Sequence, residues 1–474
     1  MLEHPPQGIA AYAAYVPQHA LTSNSFEVVV DPQRDRTAPG RSVASYDEDA
    51  VTMAVEALRD LVDRTDGAQR LVLATTNAPY EGKTAATILH AALGMPEAVA
   101  PIDLRGHRSG ATALDLVLGA GGVAALSDQR LTRPGAPDEL GQGDAAAVFV
   151  AGQGAAELLG RAAVSVEILD RWRLPGERHD RVWDERFTAE ILVSAANDAA
   201  QRALECSGLT SVDQVVVSSS NPRAAAALRR SLKSSGADAA VERLTGFTGA
   251  AHPGLLLAAT LDLAEPGETI LLVSASEGAD ALVLRVGLGI RAARGGPSVA
   301  DQLQQRVPMG YGRFLRWRGL LDVQGPARPA SPAPAAPPMH RRAGWKYRLE
   351  GCRCASCAQI TTPPSRLCAE CGAPAPHGPE GRVSLVDRVA AVTSVTQDRL
   401  TTMPENEVAM VIADFEGGGR LNAYATDVDA ADVQVGMTMR PTFRRLWTTE
   451  GIHNYFWKLR PWAASPTEDD TNGN

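Results

Sequence analysis

The chain has 474 residues, 45% hydrophobic and 21% charged, which is length enough to bury the cores of two or three domains. Its formal net charge of -9 argues against a general nucleic-acid binder, whose electrostatic footprint is basic. The N-terminal MLEHPPQG lacks the basic and apolar stretches of a signal peptide, and no run of about 18 apolar residues is present to span a bilayer, so a cytoplasmic protein is expected.

SYDEDA at 45–50 reads as an acidic helix start, with Ser45 or Asp47 as the cap and carboxylates that suit the positive end of the helix dipole. The helix pattern EDAVTMAVEALRDL then leads into an apolar strand, RLVLATTNAPY. RGHRSGATAL, residues 105–114, follows an apolar run and opens a small-residue helix. It has the layout of a nucleophile loop, yet His107 stands where a strong nucleophile is expected. Further on, ERFTAEILVSAANDAAQRAL leads to the strand QVVVSSSNPR, so that both strands end in a hydroxyl-rich triplet with Asn. GHRSGATALDLVLGAGG followed by GDAAAVFVAG is answered by GFTGAAHPGLLLAATLDL followed by GADALVLRVG, which sets Gly143 and Gly278 about 135 positions apart. The matching order predicts a duplicated α/β unit with halves at about 1–160 and 161–295, and a ligand site between them where strand ends converge. Cys206, late in AAQRALECSGL and away from any strand-to-helix elbow, is expected to be a buried structural thiol.

Residues 323–344, VQGPARPASPAPAAPPMHRRAG, are proline-rich and read as an extended, semi-rigid linker. Five of the six cysteines then fall between Cys352 and Cys371, which in a reducing compartment suggests metal ligation. Cys354-x2-Cys357 and Cys368-x2-Cys371 place two thiolate pairs on tight knuckles. Four thiolates satisfy tetrahedral Zn2+ and leave no position for water, so the metal is expected to be structural; Cys352 is a spare whose spacing fits less well. GRVSLVDRVAAVTSV, EVAMVIADFEGGGRLNAYATD and GMTMRPTFRRL read as short strands broken by Gly-rich turns, consistent with a small five-stranded barrel. In NYFWKLRPW (454–462) the aromatics either stack an adenine beside basic residues or, the favoured alternative, place Tyr455 and Trp457 on the inward face of a last strand. The tail SPTEDDTNGN is expected to be disordered.

The segments GIAAYAAYVPQHAL, SVASYDEDAVTMAVEAL, LATTNAPYEGKTAATIL, GDAAAVFVAG and GADALVLRV, in this order, resemble the thiolase superfamily and within it bacterial and archaeal 3-hydroxy-3-methylglutaryl-CoA synthase-like proteins, over roughly residues 8–290. The resemblance implies a thiolase-like duplicated five-layer αβαβα domain, usually dimeric, that works on CoA thioesters. The family's nucleophilic Cys, at the N-terminus of a buried helix, aligns with His107; its His falls near Ser220, its Asn at Phe247 and its acid/base Glu near Thr76. All four positions depart from the pattern. An imidazole cannot attack a thioester, carry the acyl group and leave again as a thiolate does, so acyl-enzyme chemistry is not expected. His107 is then either a neutral general base or a packing residue in a vestigial pocket. His252, at the equivalent helix start of the second half and followed by Pro253, is the candidate partner in a paired-imidazole acid/base site. Arg105 and Arg108 are candidates for the CoA phosphates, and Asn221 for substrate binding.

The cysteine segment and barrel, together with YGRFLRWRGLL at 311–321, resemble the zinc-ribbon/OB-fold proteins that accompany thiolases, over roughly 311–462. That likeness implies acyl-CoA handling and bridging between thiolase-type subunits, not nucleic-acid binding. The expected architecture is α/β: a thiolase-like domain with a helical extension over 1–322, a linker over 323–344, a rubredoxin-like zinc ribbon over 345–378, an OB-fold over 379–463 and a tail over 464–474. Expected companions are structural Zn2+, an acyl-CoA, and a second copy or a separate thiolase-type subunit, with no nucleic acid and no membrane. Two functions stay open: an enzyme that makes or breaks a carbon–carbon bond beside a CoA thioester (Claisen/aldol type), and a non-catalytic scaffold that binds acyl-CoA.

Overall fold

The computed structural model describes residues 8–22, 25, 40–329, 331–376 and 379–462, and the chain divides into two units, 1–322 and 323–474. The tail expected to be disordered lies outside the described residues.

In the first unit, one half is built from β1 (Gly8–Tyr15), α1 (Ala50–Leu58), β2 (Arg70–Thr75), α2 (Ala86–Ala92), β3 (Ala100–Arg105), α3 (Ser109–Ala120), β4 (Val123–Asp128) and β5 (Ala145–Ala151). The other is built from β6 (Ala156–Ser165), α4 (Glu185–Ser207), β7 (Gln214–Ser219), α5 (Pro222–Ser231), α6 (Ala237–Thr245), α7 (His252–Leu261), β8 (Thr269–Ala275) and β9 (Gly278–Val286). The strands form one nine-stranded sheet in the order β7-β8-β9-β6-β1-β5-β4-β2-β3. β2 and β4 are parallel while β4, β5 and β1 alternate; in the same way β7 and β8 are parallel while β8, β9 and β6 alternate. The repeated order seen in the sequence is therefore present in the strand pairing, with one difference: among the described residues no strand of the second half answers β3, and α6 takes that place in the chain. The half-sheets join where Gly8 pairs with Glu157 and Ile9 with Ala156. A Cβ on Gly8 would lie 2.2 Å from the Ala156 carbonyl oxygen, so this approach requires glycine.

Alternation along the strands sorts the apolar residues into layers. Ile270, Leu272, Leu282 and Leu284 share a core with Leu114 and Val117 of α3, Leu255 and Leu256 of α7, and Leu126 and Phe149 of the first half. Leu271, Val273, Ala281 and Val283 face the other way, against Leu192, Ala196, Ala199 and Ala203 of α4. With α1 and α2 on the outer side of the first half-sheet, the layers run α, β, α, β, α, and α3 and α7 occupy the middle. Each leucine fully buried there contributes about 1.5–3 kcal/mol by leaving water. The helical extension Tyr311–Trp317 adds a satellite core, packing Tyr311, Phe314 and Trp317 on Leu21, Val43 and Leu140.

Two local expectations are corrected. The cap of α1 is Asp49, not Ser45 or Asp47: Asp49 Oδ1 accepts from the N–H groups of Val51 (3.0 Å) and Thr52 (3.1 Å), and Thr52 Oγ1 accepts from the Asp49 N–H (2.8 Å). Cys206 is exposed, because the buried stripe of α4 runs through Ala195, Ala196, Ala199, Ala200 and Ala203 and leaves position 206 beside it.

In the second unit, the stretch expected to be extended carries a short helix at Ala336–Arg341, with proline in the first turn where its missing N–H is no loss. β10 (Glu350–Arg353) pairs with β11 (Ile360–Thr361) and β12 (Arg382–Ser384). There follow β13 (Ala390–Asp398), β14 (Val408–Phe415), β15 (Arg420–Tyr424), β16 (Thr438–Thr449) and β17 (Ile452–Pro461), in the sheet order β15-β14-β13-β16-β17. Ala425 bridges Leu459 in parallel, and the Thr426 N–H donates to the Leu459 carbonyl at 2.9 Å, which closes the sheet into a small barrel. Phe443 stacks on Tyr455 and meets Trp457 edge-on, with ring centroids 5.7 and 5.3 Å away. Tyr455 and Trp457 are thus the inward face of the last strand, not a nucleotide platform. Among the described residues no helix is long and apolar enough to cross a membrane.

Candidate functional site

β3, β2 and β4 are parallel neighbours, so their C-terminal ends lie side by side. β2 delivers Thr75 and Thr76, β4 delivers Asp128 and then Arg130, and β3 runs into Gly106 and His107. Gly106 has φ +109°, a conformation costly for other residues, and makes the turn from β3 into α3. The cap of α3 is Arg108, so His107 sits on the turn one residue before it.

Asp128 is buried and accepts hydrogen bonds from Thr76 Oγ1 (2.7 Å), Thr75 Oγ1 (3.2 Å) and the N–H groups of Thr76 (3.2 Å) and Ala250 (3.0 Å). Burial pushes its carboxyl up against the opposing pull of Arg130. Arg130 donates to Thr76 Oγ1 (2.5 Å) and Gln142 Oε1 (3.1 Å), lies 3.8 Å from Asp128, and pairs through Nη2 with Asp180. Asp180 belongs to the excursion 166–184 between β6 and α4, whose ribbon pairs Arg171 and Trp172 with Val182 and Arg181. Its Oδ2 is 3.5 Å from His107 Nε2 and its Oδ1 3.6 Å from Arg173 Nη1, while Arg173 also donates to the Thr76 carbonyl. Burial resists ionisation of Asp180, but Arg130, His107 and Arg173 together hold its carboxyl below the usual carboxylate range. Arg178 donates to the Arg318 carbonyl at 2.7 Å. The excursion is a strap across the strand ends, fastened at Arg130, Thr76 and Arg318.

The His107 side chain is 9% exposed. Burial first, then the neighbouring Arg130, hold its imidazole down at about 3, so the ring is neutral near pH 7. With Nε2 facing a carboxylate, the proton of the neutral ring belongs on Nε2, and Nδ1 is buried with no partner among the described residues.

The other sequence candidates sit elsewhere. His252 is fully buried; its Nδ1 is 3.3 Å from the Thr248 N–H nitrogen and from Thr248 Oγ1, its Nε2 is 3.7 Å from Glu242, and its ring lies 4.8 Å from that of Phe247. Although burial opposes it, His252 and Arg229 hold Glu242 at about 2. Among the described contacts the two imidazoles share no partner: His107 meets Asp180, and His252 meets Thr248 and Glu242. Arg108 is committed to Asp280 through Nε (2.8 Å) and Nη2 (2.9 Å) and to Ser165 Oγ (2.9 Å). Arg105 donates to the carbonyls of Glu81 (2.7 Å) and Tyr80 (2.9 Å). Asn221 caps α5: its Oδ1 accepts from the N–H groups of Arg223 (3.0 Å) and Ala224 (3.1 Å), and its Nδ2 donates to the Glu185 carbonyl (2.8 Å). These side chains make hydrogen bonds within the protein. Ser220 bonds Ser276 at 3.1 Å. Thr76 alone of the replaced family positions joins His107. Sequence inspection passed over Asp128, Arg130, Arg173 and Asp180; only SDQR at the end of an apolar run gave a signal. A cavity of about 390 Å³ between Val164, Phe187, Ile191 and Asp198 lies outside this cluster.

In the second unit the sulfurs of Cys354, Cys357, Cys368 and Cys371 all lie within 4.8 Å of one another. Cys354–Cys371 and Cys357–Cys368 Sγ separations are both 3.6 Å, too long for disulfides and close to the edge of about 3.8 Å that a tetrahedron with Zn–S near 2.3 Å requires. Each pair sits on a knuckle: the Ala358 N–H donates to the Cys354 carbonyl (3.0 Å), and the Gly372 N–H to that of Cys368 (3.1 Å). The donor set fits a closed thiolate site. Cys352 stands apart, its Sγ 3.5 Å from the Pro376 carbonyl.

A duplicated α/β array with its candidate site at the ends of parallel strands, beside a buried helix start, is the thiolase-like fold. Its similarity is to one group in particular. No protein-family model matches the chain. Hydroxymethylglutaryl-CoA synthases of Methanocella arvoryzae (28% identical, over 67% of this chain and 99% of that protein), Methanopyrus kandleri (29%, 66% and 97%) and Archaeoglobus fulgidus (29%, 67% and 99%) are similar to it. Solved structures share the fold: the curacin biosynthetic pathway HMG synthase in complex with holo donor-ACP (TM-score 0.58, 16% identity, 66% of this chain and 88% of that one) and an HMG-CoA synthase complexed with CoA (0.56, 17%, 66% and 90%). The chain is hydroxymethylglutaryl-CoA synthase-like.

Proposed function

We propose that this chain holds an acyl-CoA thioester at the ends of β2, β3 and β4 and makes or breaks a carbon–carbon bond next to the thioester carbonyl without an acyl-enzyme intermediate. The likeness to hydroxymethylglutaryl-CoA synthases supports the thioester and the bond class. The observation that carries the departure is a neutral His107, with an unpartnered Nδ1, on the turn where the family's sulfur would stand. His107 Nδ1 takes a proton from the carbon acid or from a hydroxyl, and Arg130 holds the developing oxyanion, Thr76 being spent as a donor to Asp128. While Arg130 sits beside it the imidazole is a weak base.

The ribbon cysteines hold Zn2+ as a structural ion, supported by the four-sulfur geometry, and the barrel has the pairing order of an OB-fold. A second reading is favoured by the strap over His107: a scaffold that binds acyl-CoA without turnover and serves a separate thiolase-type subunit, or pairs with a second copy. Assay of the purified chain, alone and with such a subunit, against acetyl-, acetoacetyl- and hydroxyacyl-CoA separates the two. We expect turnover that His107→Ala lowers by at least about 100-fold while CoA-thioester affinity stays within about threefold. Turnover unchanged in that variant discards the catalytic role, and binding without turnover in the presence of the subunit establishes the scaffold.

A further inference from the structure

The second half has parallel strand ends of its own. β7 and β8 run together as β2 and β4 do in the first half, and past their C-terminal ends Ser220 Oγ and Ser276 Oγ lie 3.1 Å apart. The chain then turns through Glu277 and Gly278 into β9, with the Ser276 N–H donating to the Gly278 carbonyl at 3.0 Å. Arg108, the residue after His107, pins this turn: its Nη1 donates to the Glu277 carbonyl (3.3 Å) and its Nη2 to that of Ala279 (3.2 Å). In return the Glu277 side chain reaches over Gly106, the residue before His107. Its Oε2 lies 3.9 Å from where a Cβ on that glycine would stand. Two turns, one from each half, are thus locked together at 106–108 and 276–278.

Glu277 stands there against the preference of the backbone. Its φ is +54°, a left-handed conformation that glycine or asparagine adopts more readily in a hairpin turn. The residue is exposed, and among the described residues nothing donates a hydrogen bond to its carboxylate. Arg108, the cation beside it, is committed to Asp280. What burial Glu277 has, with the negative charge of Glu167 and Asp170 on the strap, pushes its carboxyl above the ordinary value against the pull of Arg108. A carboxyl free to exchange a proton therefore lies over the turn that carries a neutral imidazole. We propose that Glu277 moves the proton at the carbon next to the thioester carbonyl, while His107 serves the oxygen. In the cleaving direction His107 Nδ1 takes the β-hydroxyl proton and the O–H electron pair becomes the new C=O bond. The bond between the α- and β-carbons then breaks to an enolate, and Glu277 delivers its proton to the α-carbon. The imidazolium returns a proton to solvent and the carboxylate takes one up. In the forming direction Glu277 takes the α-proton, and the imidazolium protonates the alkoxide. This inference rests on the proposed carbon–carbon chemistry and divides its two proton transfers between the halves of the domain.

The test uses the full chain and reads the two transfers apart. Wash-in of deuterium from D2O at the α-carbon of acetyl-CoA, followed by the mass of the recovered thioester, reports the carbon step without any carbon–carbon bond breaking. Cleavage of β-hydroxybutyryl-CoA reports both steps together. Glu277→Gln should lower exchange and cleavage by at least about 100-fold, with thioester affinity within about threefold. His107→Ala should lose cleavage to the same extent but keep exchange within about tenfold. Glu277→Gly, which suits the left-handed φ, should be as inactive as the glutamine variant while its Tm equals or exceeds that of the unaltered protein, which separates lost chemistry from lost structure. Exchange that survives in either Glu277 variant, or that falls equally in the His107 variant, overturns the assignment. If the unaltered protein cleaves the hydroxyacyl thioester without exchanging acetyl-CoA, the assignment falls and the proposed chemistry stands. If it does neither, the proposed chemistry falls and the assignment with it.

Discussion

His107 stands where the resemblance to thiolases would place a sulfur, and its surroundings decide what it can do. A folded-state value of about 3 against about 6.5 unfolded means that the unfolded chain binds a proton between those limits which the native chain refuses. The stability due to a neutral His107 is complete above pH 6.5 and is lost as pH falls toward 3. Glu242, held at about 2 against 4.5, acts in the same direction but only below pH 4.5. The interval between pH 7 and 5 excludes Glu242 but not His179, which burial also holds below its usual range, so the imidazole at 107 is read from the part of the loss that its substitution removes. Thermal or denaturant unfolding across that interval should show a loss of about 2 kcal/mol that His107→Asn removes; identical slopes for the two proteins would refute the burial argument. Residue roles were legible only where chemistry is local. Asn221 before Pro222 has the pattern of a helix N-cap and is one. Arg108 finds Asp280 172 positions away, and nothing near either residue announces the pair.

At the scale of elements, periodicity and knuckle spacing carried the most. The duplicated order, the paired cysteines and the aromatic alternation of β17 each correspond to a physical repeat, and each has its counterpart in the folded chain. The strap was invisible because residues 166–184 have neither helical nor strand period and owe their place to ion pairs with strand ends distant in sequence. The missing counterpart of β3 was equally unreadable, since the apolar content of α6 does not distinguish a helix from a strand. The ribbon offers an element-scale prediction. Too small to bury a core, it depends on its metal, so one Zn2+ per chain should be found by elemental analysis. Cys368→Ser should abolish that stoichiometry and lower the unfolding temperature of the second unit, with Cys352→Ser leaving the zinc content intact. A full metal complement in the Cys368 variant would contradict the four-thiolate assignment.

Across the whole molecule, the first unit keeps a middle layer of buried helices and strand ends that meet beside it, and on the proposed reading it does so without a nucleophilic sulfur at 107. On the proposed function, the thioester is placed by shape and by helix-end and strand-end polarity, so losing a nucleophile need not remove the capacity to hold the ligand. Binding and covalent capture are thus separable. Native mass spectrometry of the chain incubated with acetyl-CoA and glutaryl-CoA, followed by acid denaturation of the same sample, reads both at once. It should show a one-to-one complex with a thioester under native conditions and an unmodified chain after denaturation. An acyl adduct that survives denaturation, or no complex with either thioester, would contradict this separation.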